Sequence, residues 1–99
     1  MKLSAVIPVY NEATTITQVV ERVLEVSLDH TLGDIEKEII VVDDGSTDET
    51  RSVLSALAAR WPHQLKVVYH EENQGKGAAI RTALDHVTGD LVITQDADM

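Results

Sequence analysis

Four short polar segments hold most of the residue types that can do chemistry: Tyr10-Asn11-Glu12, Asp43-Asp44-Gly45-Ser46, Gly75-Lys76-Gly77 and Asp96-Ala97-Asp98. Asp96 and Asp98 are hard oxygen donors two residues apart. Such donors suit Mg²⁺ or Mn²⁺, held by one or two carboxylates together with substrate phosphates. An isolated Asp-x-Asp is more often a solvated turn. Here the pair follows an apolar run, which favours a ligand. Asp43 and Asp44 set two like charges side by side at an electrostatic cost. Gly45 reads as turn and Ser46 as helix cap. Neither role accounts for Asp43, whose carboxylate at a strand tip could accept a hydrogen bond from a base N–H or a ribose hydroxyl. Asp44 is balanced between loop and ligand.

Tyr10 is one of three aromatic residues and lies in a polar segment away from the apolar stripes. A ring there can stack on a nucleobase while Glu12 accepts a proton from it. Asn11 reads as the cap of the following helix, and Pro8 stiffens the approach. Lys76 opens a helix whose first-turn N–H groups, with its ammonium, could meet a phosphate. A solvated lysine is an equally good account of it. Two familiar nucleotide motifs fail at this segment. His70 stands where a Walker loop has its first glycine and Gly77 where it has Ser or Thr, and Ile80 replaces the third glycine of the dinucleotide fingerprint. The histidines fall in loops or on helix exteriors with no mutual spacing, and no role is assigned to them.

The elements that must position these segments follow from hydrophobic period. Leu3 to Pro8, Glu38 to Val42, Leu65 to Tyr69 and Leu91 to Thr94 are short, apolar and rich in β-branched residues, as buried parallel strands are. Between them lie helical stripes. Ile16, Val19, Val20, Val23 and Leu24 form the first. Ser46 and Glu49 read as a capping box for the second, which presents Val53, Leu54, Leu57, Ala58 and Trp61 and closes at Pro62. A third begins near Gly77 and presents Ala79, Ile80, Ala83, Leu84 and Val87. Ser27 to Lys37 reads as a surface loop. Strand and helix alternate, which predicts a parallel sheet with right-handed crossovers and helices on both faces. All four polar segments then fall at the carboxyl ends of strands, where open α/β sheets bind ligands.

Composition narrows the class. The 99 residues are 43% hydrophobic and 25% charged, a globular balance. A net charge of −9 argues against binding along a nucleic-acid backbone, which calls for a basic footprint. The absence of cysteine excludes disulfides and thiolate metal sites. No apolar run reaches the ~20 residues of a membrane span, and a soluble, cytoplasmic chain is the plain expectation.

Taken in order, V-I-P-V-Y-N-E (6 to 12), I-V-V-D-D-G-S-T-D (40 to 48), N-Q-G-K-G-A-A (73 to 79) and Q-D-A-D (95 to 98) resemble glycosyltransferase family 2. The wording is closest to the dolichol-phosphate mannosyltransferase and polyprenol-phosphate sugar transferase branch. The resemblance covers the whole chain. It implies the Rossmann-like, three-layer nucleotide-sugar-binding half of a GT-A fold, α/β with a mainly parallel sheet in the order 3-2-1-4. The crevice would open between strands one and four. It implies that Pro8, Tyr10 and Glu12 line a nucleoside pocket, that Val41 and Asp43 contact base or ribose, and that Lys76 faces the phosphates. Asp96, Ala97 and Asp98 would hold ribose and a divalent metal (Mg²⁺ or Mn²⁺), with Asp96 and Asp98 as ligands and Asp98 foremost.

The implied donor is a GDP- or UDP-sugar, and the implied acceptor a polyprenyl or dolichyl phosphate at a membrane surface. The full-length protein would then be membrane-associated. The chain stops at Met99 directly after the fourth strand. The expectation is therefore that residues 1–99 form the incomplete N-terminal part of the domain. The catalytic base would lie elsewhere, and the chain would be inactive alone. The competing expectation is a non-catalytic fragment that binds nucleotide weakly or not at all. An acidic-pocket signalling domain built on Asp43 and Asp44 is a weaker third, because no lysine sits at a later strand end to complete it.

Overall fold

The computed structural model describes residues 1–25 and 35–97. Four strands form one parallel sheet: β1 (Lys2–Val9), β2 (Glu36–Asp43), β3 (Leu65–Tyr69) and β4 (Leu91–Thr94), in the order β3-β2-β1-β4. The helices are α1 (Ile16–Glu25), α2 (Thr50–Arg60) and α3 (Lys76–Leu84). The class and strand order are those expected. β3 and β4 have the expected bounds, and β1 is longer by one residue at each end. β4 is not buried as expected: it pairs with β1 at the sheet edge, and all four of its residues are exposed. β2 starts two residues early, because Glu36 and Lys37 pair with Lys2 and Leu3. The expected Ser27–Lys37 loop therefore ends before Glu36, and its residues 27–34 lie outside the described residues. Pro8, which has no N–H to give, falls past the last β1–β4 register pair, Val6 with Thr94.

Period-two alternation sorts the strand side chains onto two faces. On one face Ala5, Ile7, Val9, Ile39, Val41 and Leu65 pack against Ile16, Val19, Val20 and Val23 of α1 and Leu54 and Leu57 of α2. On the other, Val6, Ile40 and Val42 pack against Ala79 and Ala83 of α3. Each fully buried Val, Leu or Ile contributes roughly 1.5–3 kcal/mol of transfer free energy; the buried core is aliphatic, with the half-buried Trp61 packed against it. The small alanines let α3 approach the sheet closely. α3 ends at Leu84, earlier than its apolar stripe suggests. Val87 lies beyond it in a turn yet still packs on the same face.

At the amino-terminal edge Glu38 fastens three elements. Its carboxylate accepts from the Ser4 hydroxyl (2.6 Å), the Thr88 N–H and the Thr88 hydroxyl (both 2.9 Å), and lies 3.6 Å from Lys2 Nζ. The Gly89 N–H donates in turn to Ser4 Oγ at 2.9 Å. Burial opposes the charge, but the donated hydrogen bonds from Ser4 and Thr88 outweigh it, with Lys2 assisting. The Glu38 carboxyl is held down at about 2.

Candidate functional site

The carboxyl ends of the strands frame one hollow of about 400 Å³. From β1 and its exit come Pro8, Val9, Tyr10 and Glu12, and from the β2 exit comes Asp44. The β3–α3 connection and α3 give Asn73, Gly75, Lys76 and Ala79, and the β4 exit gives Asp96 and Ala97. Six residues singled out from the sequence (Pro8, Tyr10, Glu12, Lys76, Asp96 and Ala97) thus stand around one space. Val41 and Asp43 are not among its lining residues. Val41 is buried in the layer beneath α1 and α2. Asp43 is 0% exposed at the β2 tip, accepting from the Ser46 hydroxyl and, at 3.0 Å, from Arg51 Nε. Asp98 lies outside the described residues.

Asn11 does not cap α1. It sits at φ 53°, in the left-handed region that asparagine tolerates better than most residues. Its N–H donates to Ser46 Oγ (2.9 Å), and its side-chain oxygen accepts from the N–H groups of Thr47 (2.8 Å) and Asp48 (3.3 Å). The expected capping box is likewise absent. α2 begins at Thr50, whose N–H is taken by Asp48 at 2.8 Å, while Ser46 bridges Asn11 and Asp43. Short polar residues expected to serve their own helices instead tie the β1 and β2 exits together. The Glu12 N–H donates to Thr50 Oγ1 at 3.0 Å, a second tie between the same loops. The result holds Tyr10 outward with 44% of its surface exposed. Thr15 Oγ1 lies 2.9 Å from both Glu12 Oε2 and the Ala97 carbonyl, joining the floor of this wall to the β4 exit.

The opposite wall is organised by Asp44, 3% exposed. Its Oδ1 accepts from the Gln74 N–H (2.9 Å) and meets His70 Nδ1 (2.8 Å), and its Oδ2 accepts from the Gly75 N–H (2.8 Å). Burial pushes the Asp44 carboxyl up, but the bonds from His70, Gln74 and Gly75 prevail and hold it below the usual carboxylate value. Asp44 is thus a loop anchor whose side chain also borders the hollow. His70, expected to be idle, is buried with both ring nitrogens engaged, Nε2 standing 2.9 Å from Thr82 Oγ1. Arg51 went unnoticed in the sequence. It donates to Asp43 and to the His70 carbonyl and lies 5.4 Å over the Tyr69 ring. Burial raises the Tyr69 hydroxyl, the Asp43 charge adds to it, and Arg51 partly offsets both. Position just past β3 could have flagged His70; nothing local flags Arg51.

At the mouth Lys76 Nζ and Asp96 Oδ1 meet at 2.9 Å, both well exposed. Among the described residues no three His, Asp or Glu side chains converge as a closed metal cage. The donor chemistry nevertheless fits an Mg²⁺- or Mn²⁺-type ion, because Asp96 offers a hard oxygen on the hollow and such ions complete their shell with phosphate oxygens and water. The arrangement offers a ring and a carboxylate on one wall, and an ammonium at the start of an anchored helix on the other.

A parallel β3-β2-β1-β4 sheet with a polar hollow at its carboxyl edge is the plan of nucleotide-binding α/β folds. Within that class the chain belongs to Glycosyl transferase family 2, which matches residues 4–99. It is 42% identical over 98 residues to the undecaprenyl-phosphate 4-deoxy-4-formamido-L-arabinose transferase of Sodalis glossinidius, covering 99% of this chain and 29% of that protein. Among solved structures it is similar to a mannosyltransferase from Pyrobaculum calidifontis in complex with GDP-Man and Mn²⁺. That match has TM-score 0.82 and 35% identity, over 97% of this chain and 27% of the other. It is also similar to the glucosyl-3-phosphoglycerate synthase of Mycobacterium tuberculosis in complex with Mn²⁺, UDP and glucosyl-3-phosphoglycerate. Here the TM-score is 0.71 and the identity 33%, over 98% of this chain and 33% of the other. The polyprenol-phosphate branch and the GT-A fold expected from the motifs agree with these relatives. No helix among the described residues is long and apolar enough to cross a membrane.

Proposed function

We propose that residues 1–99 are the donor-binding part of a GT-A glycosyltransferase, gripping a GDP- or UDP-sugar for transfer to a polyprenyl phosphate acceptor. The observation that carries this is the single hollow shared by Tyr10, Glu12, Lys76 and Asp96 in a family 2 chain. On this reading the Tyr10 ring lies against the base, and Pro8 and Glu12 border the nucleoside. Val41 and Asp43 support that end from beneath. Lys76 faces the diphosphate, and the Ala97 backbone adjoins the ribose. Asp96 and Asp98 would hold Mg²⁺ or Mn²⁺, which supplies charge neutralisation on the leaving diphosphate. The need is electrostatic, since a chain of net charge −9 repels an anionic diphosphate.

Support for the lipid phosphate comes from the Sodalis relative's name, and for the metal and nucleotide from the Pyrobaculum and Mycobacterium complexes. A protein of this reading works at a membrane surface on its cytoplasmic side. On this reading Tyr10, Glu12, Lys76 and Asp96 each hold the donor. The chain by itself is therefore expected to bind a donor without turning it over.

Calorimetric titration of the chain with UDP, GDP and their sugars, with and without Mn²⁺, tests the proposal. Metal-dependent binding weakened by Asp98→Ala supports it. Metal-independent binding indifferent to Asp98→Ala, or no binding at all, overturns it.

A further inference from the structure

We infer that His70 is a positioning residue for the diphosphate end of the donor, acting through Asp44; this rests on the donor-binding reading above. The Asp44 carboxylate only accepts, so the hydrogen of the 2.8 Å contact belongs to His70 Nδ1, while Nε2 stands 2.9 Å from the Thr82 hydroxyl. The ring is therefore fixed at both ends, by the β2 exit and by α3. A third fixing runs through its own backbone, whose N–H donates to the Asp43 carbonyl at 2.8 Å. What His70 fixes is the orientation of Asp44, whose two oxygens take the N–H groups of Gln74 and Gly75. Those amides immediately precede Lys76, the first residue of α3. His70 thus sets the wall from which Lys76 and the α3 start face the hollow, without touching the hollow itself.

The nucleoside wall is held by a separate set of bonds. Asn11 with Ser46, Thr47 and Asp48, and Glu12 with Thr50, involve neither His70 nor Thr82. Loss of His70 should therefore loosen one side of the site and spare the other. A general weakening of the fold would affect both sides alike.

The test uses His70→Ala and His70→Asn. The shorter amide can still donate to Asp44 but cannot reach Thr82. One arm needs no ligand: hydrogen exchange of the Gln74 and Gly75 amides, followed by NMR. In His70→Ala we expect about tenfold faster exchange at these two amides, with β1 and β2 amides unchanged. The other arm compares GDP or UDP with Mn²⁺ against guanosine or uridine. Here we expect about a tenfold loss for the nucleoside diphosphates, less than twofold for the nucleosides, and substantial recovery in His70→Asn.

Equal loss for nucleoside and nucleoside diphosphate, or no change in either arm, would overturn the inference. If the unaltered chain binds no nucleotide while the two amides still respond, the donor-binding reading falls, taking the diphosphate role with it and leaving His70 a purely structural residue. Should His70→Ala fail to fold, Thr82→Ala takes its place, with the same one-sided loss expected and equal losses again overturning the role.

Discussion

Gly45 has φ +76°, and a Cβ built there would stand 2.5 Å from the Asn73 nitrogen and 2.6 Å from the Glu72 carbonyl carbon. The main chains of the β2 and β3 exits touch at this point, so neither backbone can yield to a side chain. Gly45→Ala should cost about 2 kcal/mol or more, combining left-handed strain with a backbone clash. It would appear as a lower urea midpoint at unchanged slope. Gly75, at φ +100° with open space around its Cβ position, is a useful contrast. Gly75→Ala should lose about 1–3 kcal/mol from strain alone, because its ψ of 158° puts it in a region open essentially to glycine. At this scale the sequence was readable where residue type and task coincide. A tyrosine in a polar loop and a carboxylate just past an apolar run, Tyr10 and Asp96, do come together at one hollow. It was unreadable where one residue type serves two tasks. Asn11 and Ser46 look like helix caps, yet each bonds across a gap of 35 or more positions, and no local pattern signals that.

Among the elements, β1 and β2 were legible because burial on both faces makes a parallel strand apolar throughout, and the helices because one buried face imposes a period of 3.6. Their ends were less so. Glu36 and Lys37 are charged and fit no buried-strand pattern, yet they extend β2 because Lys2 and Leu3 of β1 stand opposite. In the sequence Glu38 looks merely like the start of a strand, though it locks β1, β2 and the α3–β4 connection together. Glu38→Gln should destabilise the chain by about 1–3 kcal/mol at pH 7, since it weakens bonds donated to a charged group. The sign of the pH dependence follows from the lowered carboxyl value. Glu38 is ionised when folded down to about 2, against 4.5 unperturbed, so its contribution is full above 4.5 and is lost as pH falls towards 2. Urea unfolding of both proteins at pH 7 and near pH 2 checks this: the gap between them should close in acid. Asn11→Ala removes the tie between the two loops without taking a cap from α1, which Asn11 does not cap. It should weaken nucleoside binding several-fold with little change in helix content by circular dichroism.

For the molecule as a whole, the strong acidity of the chain decides how a diphosphate ligand can be held. Removing the dication with a chelator should abolish binding of GDP or UDP while leaving guanosine or uridine affinity within about twofold, because only the phosphates meet the repulsion. Asp96→Asn should weaken the metal-dependent part by about tenfold or more, and titration at fixed ionic strength separates the two. The fold class and the edge that bears the hollow followed from the alternation of strand and helix, and the strand order from the family resemblance. The internal supports of the hollow, His70, Arg51 and Thr15, did not, because they act through tertiary contacts between distant segments.

Thr15 has a single hydroxyl hydrogen and two waiting acceptors, the Glu12 carboxylate and the Ala97 carbonyl, each 2.9 Å away. Only one can be served at a time. On the proposed reading, a guest that donated to Glu12 would leave that hydrogen to Ala97 and firm the segment beside Asp96, steadying one end of the cleft from the other by up to about 1 kcal/mol.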